Sequence, residues 1–410
     1  MARILPTFSL RKVDLLILLP VVVLVVAGLL SIFSATHNAD IFIKFQKQVF
    51  WAILGVLLMV LVLFAPPRFY HYIAYLSYGV AIVLLLLVLV FGKTIGGNAG
   101  WFGIGGYGIQ PSEFAKVTTV LALGRFLSDS TTSMHSFRDL TKAIGIVGLP
   151  WVLIFLQPDF GTGLIFWVIF LAMIFWAGAE MVLLLTLLSP VIISVLSVIG
   201  IWYFLIAAFV VSTLFYVMKR NLGIALMFLA LNLSIGFGVQ YTFSHLPEYQ
   251  KNRIAVFIDP TEAPLSAGWN VIQSKVAIGS GGMTGRGYLQ GSQTQLRFVP
   301  EQWTDFIFCV PAEEFGFIGG MSILLMFTLL LFRSLRIARI LEFRFSSLVV
   351  IGITSLFLFH VFINIGMTLG LLPVIGIPLP FMSYGGSFFL TSMLAIGIVL
   401  HAWMTREMFE

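Results

Sequence analysis

An all-α, polytopic transmembrane bundle of about ten to twelve spans, with one large loop outside the bilayer, is the fold class this sequence predicts. Hydrophobic residues make up 60% of the chain, charged residues 10%, and the mean hydropathy is +1.05, values that exclude an ordinary soluble domain. Apolar runs recur through nearly the whole length, and only the stretch 243–302 stays polar for long.

In order, the runs lie at 14–34, 48–65, 71–91, 112–127, 142–156, 161–177, 182–200, 201–218, 222–242, 303–332, 348–370 and 383–404. Each approaches the roughly 20 residues that a bilayer-spanning helix needs, and the division within 182–218 is the least marked. The chain reads as a single integral membrane domain over 1–410, with 243–302 as an extracytoplasmic loop inside it. Arg3, Arg11 and Lys12 precede the first run, and Arg333, Arg336, Arg339 and Arg344 fill a later connection. The excess of positive charge on cytoplasmic loops places both groups inside, so both termini are expected to be cytoplasmic and 243–302 to face outward. Lys44 and Lys47 run mildly against that orientation.

Other signals close off function classes. The single cysteine, Cys309, cannot form an internal disulfide. The six histidines have no metal-ligand spacing, and there is no Walker A or zinc signature. The net charge of +6 follows from inside loops and a basic outer site, so no nucleic acid is expected as a partner. No internal repeat argues for an inverted-repeat transporter.

A charge at mid-membrane costs about 2.5–3.5 kcal/mol or more, so polar constellations inside the hydrocarbon need a reason. In QPSEFAK, 110–116, Pro111 suits a first helical turn, and Glu113 and Lys116 are i,i+3 neighbours. They form either a structural ion pair or a charged cavity wall. In QPDFGTG, 157–163, a proline and two glycines break an apolar run around Asp159, as a helix break or a cavity lining. Within the polar loop, Leu265, Trp269, Ile272 and Val276 share one helical face, with Asn270 and Gln273 opposite and Lys275 at an edge. This predicts a short interfacial amphipathic helix. The glycines of 279–287 permit turns whose N–H groups, with Arg286, are candidates to hold an anion. Residues 303–316 open a predicted span with Asp305 and bury Glu313 and Glu314 deeper in the same helix. The Pro/Gly-rich connection within 364–387, which contains Ser383, is a lid or a rigid link.

No ATP is available outside the membrane, so a synthetic reaction there needs a substrate that arrives activated. A basic rim of Lys116, Arg253, Lys275, Arg286 and Arg297 over an apolar cavity suits a lipid-linked pyrophosphate, with a carboxylate taking a proton from an attacking hydroxyl.

These motifs carry a family resemblance over nearly the whole chain. QPSEFAK (110–116), QPDFGTG (157–163), AGWNVIQSKVAIGSGG (267–282), GSQTQLRFVPEQWTDFIF (291–308), AEEFGFIGG (312–320) and NIGMTLGLLPVIGIPLPFMSYGGS (364–387) resemble the SEDS proteins, named for shape, elongation, division and sporulation. Within them the RodA-like elongation branch is the nearer, through QSKVAIGSGG and the following SQTQL. The resemblance implies a peptidoglycan glycosyltransferase that polymerises lipid II at the outer face of the bacterial cytoplasmic membrane. Its implied partners are a class B penicillin-binding protein and other membrane proteins of the elongation machinery, and its implied helper is a divalent cation, Mg or Mn, for which no ligand signature stands here. The substrate-cavity positions it implies include Trp101, Glu113, Lys116, Asp159, Gln273, Lys275, Arg286, Arg297, Asp305, Glu313, Glu314 and Ser383.

The chain departs from the family in three places. The family's catalytic Asp falls at Ala263, before Pro264, and alanine cannot accept a proton. Three readings stand open: an engineered inactivating change, a natural variant relying on Asp259 or Glu262, or a natural member without catalysis. Gly100 stands before Trp101 where many relatives have Arg, and 201–242 reads as an extra helix pair. A lipid II flippase and a non-catalytic scaffold are the alternative functions.

Overall fold

The computed structural model describes residues 13–37, 41–95, 98–104, 107–134, 136–245 and 267–408. In chain order these form α1 (Leu15–Thr36), α2 (Ile43–Leu63), α3 (Phe69–Phe91), the antiparallel strands β1 (Lys93–Ile95), β2 (Asn98–Ile104) and β3 (Tyr107–Ile109), then α4 (Pro111–Ser128), α5 (Phe137–Phe155) and α6 (Phe160–Trp176). There follow α7 (Met181–Ile199), α8 (Ile201–Lys219), α9 (Leu222–Ser244), α10 (Ala267–Ser280), α11 (Ser292–Gln295), α12 (Cys309–Glu314), α13 (Gly316–Ile340), α14 (Arg344–Thr368) and α15 (Gly386–Met404). The chain divides into two compact units, Met1–Ala177 with Pro264–Glu410, and Gly178–Ala263.

The expected all-α membrane architecture is present. Among the described residues nine helices are long and apolar enough to cross a membrane: α1–α3, α7–α9 and α13–α15. The remaining runs fall on α4, α5 and α6. Glu113, Lys116 and Arg125 interrupt the apolar sequence of α4, Arg138, Asp139 and Lys142 open α5, and α6 has 17 residues.

One expectation fails in the larger unit. The run 303–332 is not a single helix, because 301–308 are turns and α12 stops at Phe315 before α13 begins at Gly316. Gly316 has φ +65, and a Cβ there would lie 2.3 Å from the Gly285 nitrogen, so the chain turns where only glycine fits. Asp305, Glu313 and Glu314 therefore do not share one membrane helix.

In the larger unit α14 is buried along most of its length, against α4, α6, α13 and α15. A helix apolar on every side belongs at the centre of a bundle. Close approach is made by small residues: Gly352 faces Val120 and Met173, and Gly124 faces Val349. Around this core α15 packs on α2, and α1 on α13.

The two ends of this unit differ in chemistry. At one end Asp14 caps α1, accepting from the Leu16 N–H at 2.9 Å, and also accepts from Arg333 Nε at 2.9 Å. Arg333 and Arg406 both lie against the Trp403 ring, and Arg125 lies over Tyr75. The other end gathers the N-termini of α2, α4, α6 and α15, the C-termini of α1 and α14, and α10–α12.

In the smaller unit α7, α8 and α9 pack on one another. Val182, Val211, Phe215, Ala225 and Phe228 fill one core cluster, and Ile193, Phe204 and Ala208 another. Gly236 admits the Phe204 ring, and Lys219 pairs with Glu180.

Gly28 of α1 sits where a Cβ would lie 2.5 Å from the Met382 Cα, a backbone atom that cannot swing aside, whereas Gly145 faces open space. Gly28→Ala should cost about 1–3 kcal/mol of stability and Gly145→Ala close to none. Thermal melts in detergent would read the contrast, and equal melting temperatures for the two variants would refute the contact.

Candidate functional site

The polar end of the larger unit is organised by the irregular segment between α14 and α15. Its backbone has no helix or sheet to satisfy it, and side chains from several elements take over. His360 Nδ1 lies 3.0 Å from the Pro378 carbonyl, and Asn364 Nδ2 donates to the carbonyls of Ile377 and Asp305, both at 2.8 Å. Ser383 Oγ accepts from the Leu379 N–H at 2.8 Å and donates to the Thr304 carbonyl at 2.7 Å. Gln48 of α2 donates to the Ser383 carbonyl and accepts from the Gly385 N–H. The Tyr384 N–H reaches the Trp303 carbonyl at 2.8 Å. Of the two readings of this segment, the rigid link is the one the geometry fits.

The two helix-opening motifs meet beside it. Asp159 caps α6, accepting from the Thr162 N–H at 3.1 Å, and its other oxygen accepts from Gln110 Nε2 at 3.0 Å. Gly161 is small because Ile375 and Ile377 lie against it. Lys116 Nζ is 2.8 Å from Glu113 Oε2 and 3.3 Å from His360 Nε2. The Lys116–Glu113 pair is buried beside a void of about 10 Å3, closed to a bulky ligand in this structure. Trp101 pairs with Lys93 in the hairpin, its ring against Gly108, and Ser387 ties that strand to α15.

Glu313 and Glu314 hold the outer helices together. Glu313 is fully buried, and its carboxylate accepts from the Gln293 N–H (2.8 Å), the Thr294 N–H (2.9 Å) and the Thr294 hydroxyl (2.7 Å), satisfying the first turn of α11. Glu314 accepts from the Ser34 hydroxyl and from the Leu289 N–H at 3.2 Å, and burial pushes its carboxyl above the ordinary range. In the glycine turn 279–287, the N–H groups nearest the Arg286 side chain are already engaged, contrary to the sequence expectation. The Arg286 and Gly287 N–H groups donate to the Glu313 and Glu314 carbonyls, and a Cβ on Gly281 would lie 2.1 Å from the Ala312 oxygen. Arg286 itself braces the turn, donating to the Ser280 carbonyl and the Ser292 hydroxyl.

The buried face of α10 also differs from the predicted one. Val271, Ser274 and Ala277 point inward, and Val276 is exposed. The Ser274 hydroxyl donates to the Thr368 carbonyl at 2.8 Å, so a hydrogen bond and small residues set the rotation of the helix. Gln273 is half-buried. Lys275 is exposed, its stem lying over Gly370, which has φ +70. Arg297 is exposed, and Lys44 Nζ sits 3.6 Å from the Trp303 ring centroid at this same end. Burial, with Glu301 beside it, pushes the Asp305 carboxyl up to about 6.

A family model described as a cell cycle protein, spanning FtsW, RodA and SpoVE, matches residues 7–209 and 204–408. The chain belongs to this family. It is 34% identical to the peptidoglycan glycosyltransferase RodA of Treponema pallidum, over 94% of this chain and 96% of that protein. It is also 34% identical to the peptidoglycan glycosyltransferase MrdB of Escherichia coli K12, over 96% and 94%. A chain in a solved structure of a peptidoglycan synthase complex, described as coordinating polymerization and crosslinking, aligns with a TM-score of 0.73 at 29% identity, covering 96% of this chain and 98% of that one. The crystal structure of Thermus thermophilus RodA shares the fold, with a TM-score of 0.65 at 24% identity over 98% and 99%.

For this FtsW/RodA/SpoVE member, the positions named first for catalysis, Ala263, Asp259 and Glu262, lie outside the described residues. Among the described residues no three Asp, Glu, His or Cys side chains gather to hold a metal ion, and both Glu313 oxygens are spent on α11. Gln48 and His360 lie outside every motif singled out in the sequence, and Asn364 and Ser387 stand only as the two ends of one, 364–387. A histidine or glutamine in an apolar run was the available signal, since such residues are costly in a bilayer and need a partner.

Burial makes the Asp305 carboxyl hold its proton to a higher pH in the folded chain than in an open one. Stability from this group is thus present at low pH and lost as pH rises through about 6. Asp305→Asn should raise the melting temperature at about pH 7.5 and lose that advantage at about pH 4.5. A gain of the same size at both pH values would contradict it.

Proposed function

We infer that this chain is a peptidoglycan glycosyltransferase of the elongation type, building glycan strands from lipid II beside a class B penicillin-binding protein. The observation that carries the reading is identity along almost the full length with two proteins named for that activity, the Treponema RodA and the Escherichia MrdB. The synthase-complex neighbour supports a crosslinking partner.

In this reaction the 4-hydroxyl of one glycan unit attacks the anomeric carbon of another. The new C–O bond forms as the bond to undecaprenyl pyrophosphate breaks, and the hydroxyl proton passes to a base. Lys275 and Arg297, exposed at the polar end, are the cations we assign to the leaving pyrophosphate. Lys116 acts from behind, since it is buried. An apolar groove of about 590 Å3 between α1 and α13, reaching Thr284 at the glycine turn, suits the lipid tail. We assign the base to position 263 of the family, where this chain carries alanine, with Asp259 and Glu262 as the acids beside it.

The orientation follows from charge. Arg68, Arg125, Arg333, Arg344 and Arg406 crowd the end that carries Asp14 and Trp403, so we place that end in the cytoplasm and the polar end outside. Gly279 is exposed with open space around it, and the native Cys309 is buried. Gly279→Cys should therefore react with an impermeant maleimide on intact spheroplasts. Labelling only after lysis would invert the topology.

Lipid II polymerisation by the purified chain with a class B partner tests the activity, comparing the present sequence with Ala263→Asp. Glycan made by the Asp form alone is the expected result and assigns the base to 263. Equal synthesis by both would move the base to Asp259 or Glu262. No glycan from either, with lipid II crossing vesicles instead, would favour a flippase, and neither activity would favour a scaffold.

A further inference from the structure

The Lys116–Glu113 pair and the segment between α14 and α15 meet at one side chain, His360. A backbone carbonyl only accepts hydrogen bonds, so the contact of His360 Nδ1 with the Pro378 oxygen, at 3.0 Å, requires hydrogen on Nδ1. An ammonium only donates, so the contact of Nε2 with Lys116, at 3.3 Å, requires a lone pair on Nε2. Both demands are met by one species, the neutral imidazole protonated on Nδ1. The Phe388 ring, 4.9 Å from the imidazole, closes another side, and Lys116 with Glu113 are the charged groups facing it from α4. One turn further along α14, Asn364 grips the Asp305 and Ile377 carbonyls.

We propose that His360 is a positioning residue: held as the Nδ1–H tautomer, it couples the buried Lys116–Glu113 pair to the Pro378–Ser383 segment, which in turn fixes residues 303–305 at the polar end. The coupling runs through hydrogen bonds already described. Lys116 fixes the imidazole, the imidazole fixes Pro378, and Ser383 clasps the Thr304 carbonyl next to Asp305. His360 touches no reacting atom; it transmits the position of α4 to the outer site. The catalytic consequence rests on the glycosyltransferase reading, whereas the tautomer does not.

Two measurements separate these. In histidine-15N-labelled protein of the present sequence, the His360 signals are identified by their loss in His360→Gln. Their shifts should report hydrogen on Nδ1 and a bare Nε2 at about pH 7, and Lys116→Met should move the Nε2 signal. Hydrogen on Nε2, or an Nε2 signal indifferent to Lys116→Met, overturns the proposal whatever the chain's activity. The second measurement is a double-mutant cycle in whichever residue-263 form polymerises lipid II. His360→Asn keeps an amide donor toward Pro378 and withdraws the acceptor from the Nε2 position, its own Oδ1 ending short of Lys116. It should lower the turnover rate about tenfold in the Lys116 background and by less than about twofold when Lys116 is already Met. An equal loss in both backgrounds would also overturn the coupling. Failure of both residue-263 forms to polymerise counts against the glycosyltransferase reading and leaves the spectroscopic result to decide the tautomer.

Discussion

A bilayer supplies no hydrogen-bond partners, and the chain nevertheless carries a non-helical segment from Ile377 to Gly385 into the body of its bundle. Everything at the polar end depends on how that backbone is satisfied. The carbonyls of Ile377, Pro378 and Ser383 and the N–H groups of Leu379, Tyr384 and Gly385 each find a partner on another element or in a neighbouring side chain. Asn364 and His360 come from α14, Gln48 from α2, and the Thr304 and Trp303 carbonyls from the turns before α12. An unsatisfied group at this depth costs several kcal/mol. Loss of one such side chain is therefore felt across several helices.

The acids illustrate how one residue type serves different ends. Glu313 is spent mainly on the backbone and hydroxyl of α11, a helix of four residues too short to hold itself, with the Ser280 hydroxyl as a further donor. Glu113 is matched to Lys116 and Asp159 to Gln110 and its own helix. Asp305 differs from these, because among the described residues no side-chain cation is paired with its carboxylate and its affinity for protons is raised. A buried acid raised toward neutrality beside a second carboxylate, Glu301, is the kind of group that functional sites use.

Much of this was legible in the sequence. Hydropathy gave the spans because length and composition suffice for a helix in lipid. Motif by motif, the residues that form the polar end were singled out: Gln110, Glu113, Lys116, Asp159, Asp305, Glu313, Glu314 and Ser383 all gather there. The rotation of α10 was misread because periodicity tracks large apolar residues, while Ser274 and Ala277 are buried for their small size and for one hydrogen bond. The span 303–332 was misread because an apolar run does not reveal that Gly316 must adopt a positive φ. The glycine turn was misread because the Arg286 and Gly287 N–H groups find the carbonyls of Glu313 and Glu314, far along the chain, which no local pattern encodes.

Lys116 and His360 are separated by 244 positions, so a ribosome delivers the lysine long before its imidazole partner exists. During that interval α4 must enter the membrane carrying an ammonium that has nothing from α14 to meet it. Glu113, one turn away on the same helix, is already in place and neutralises it at a spacing available from the first moment of helix formation. The local pair thus makes α4 insertable on its own, and the long-range contact is added only when the last third of the protein arrives. The acid three residues before the cation is thus the partner that α4 carries with it while the rest of the bundle is still being made.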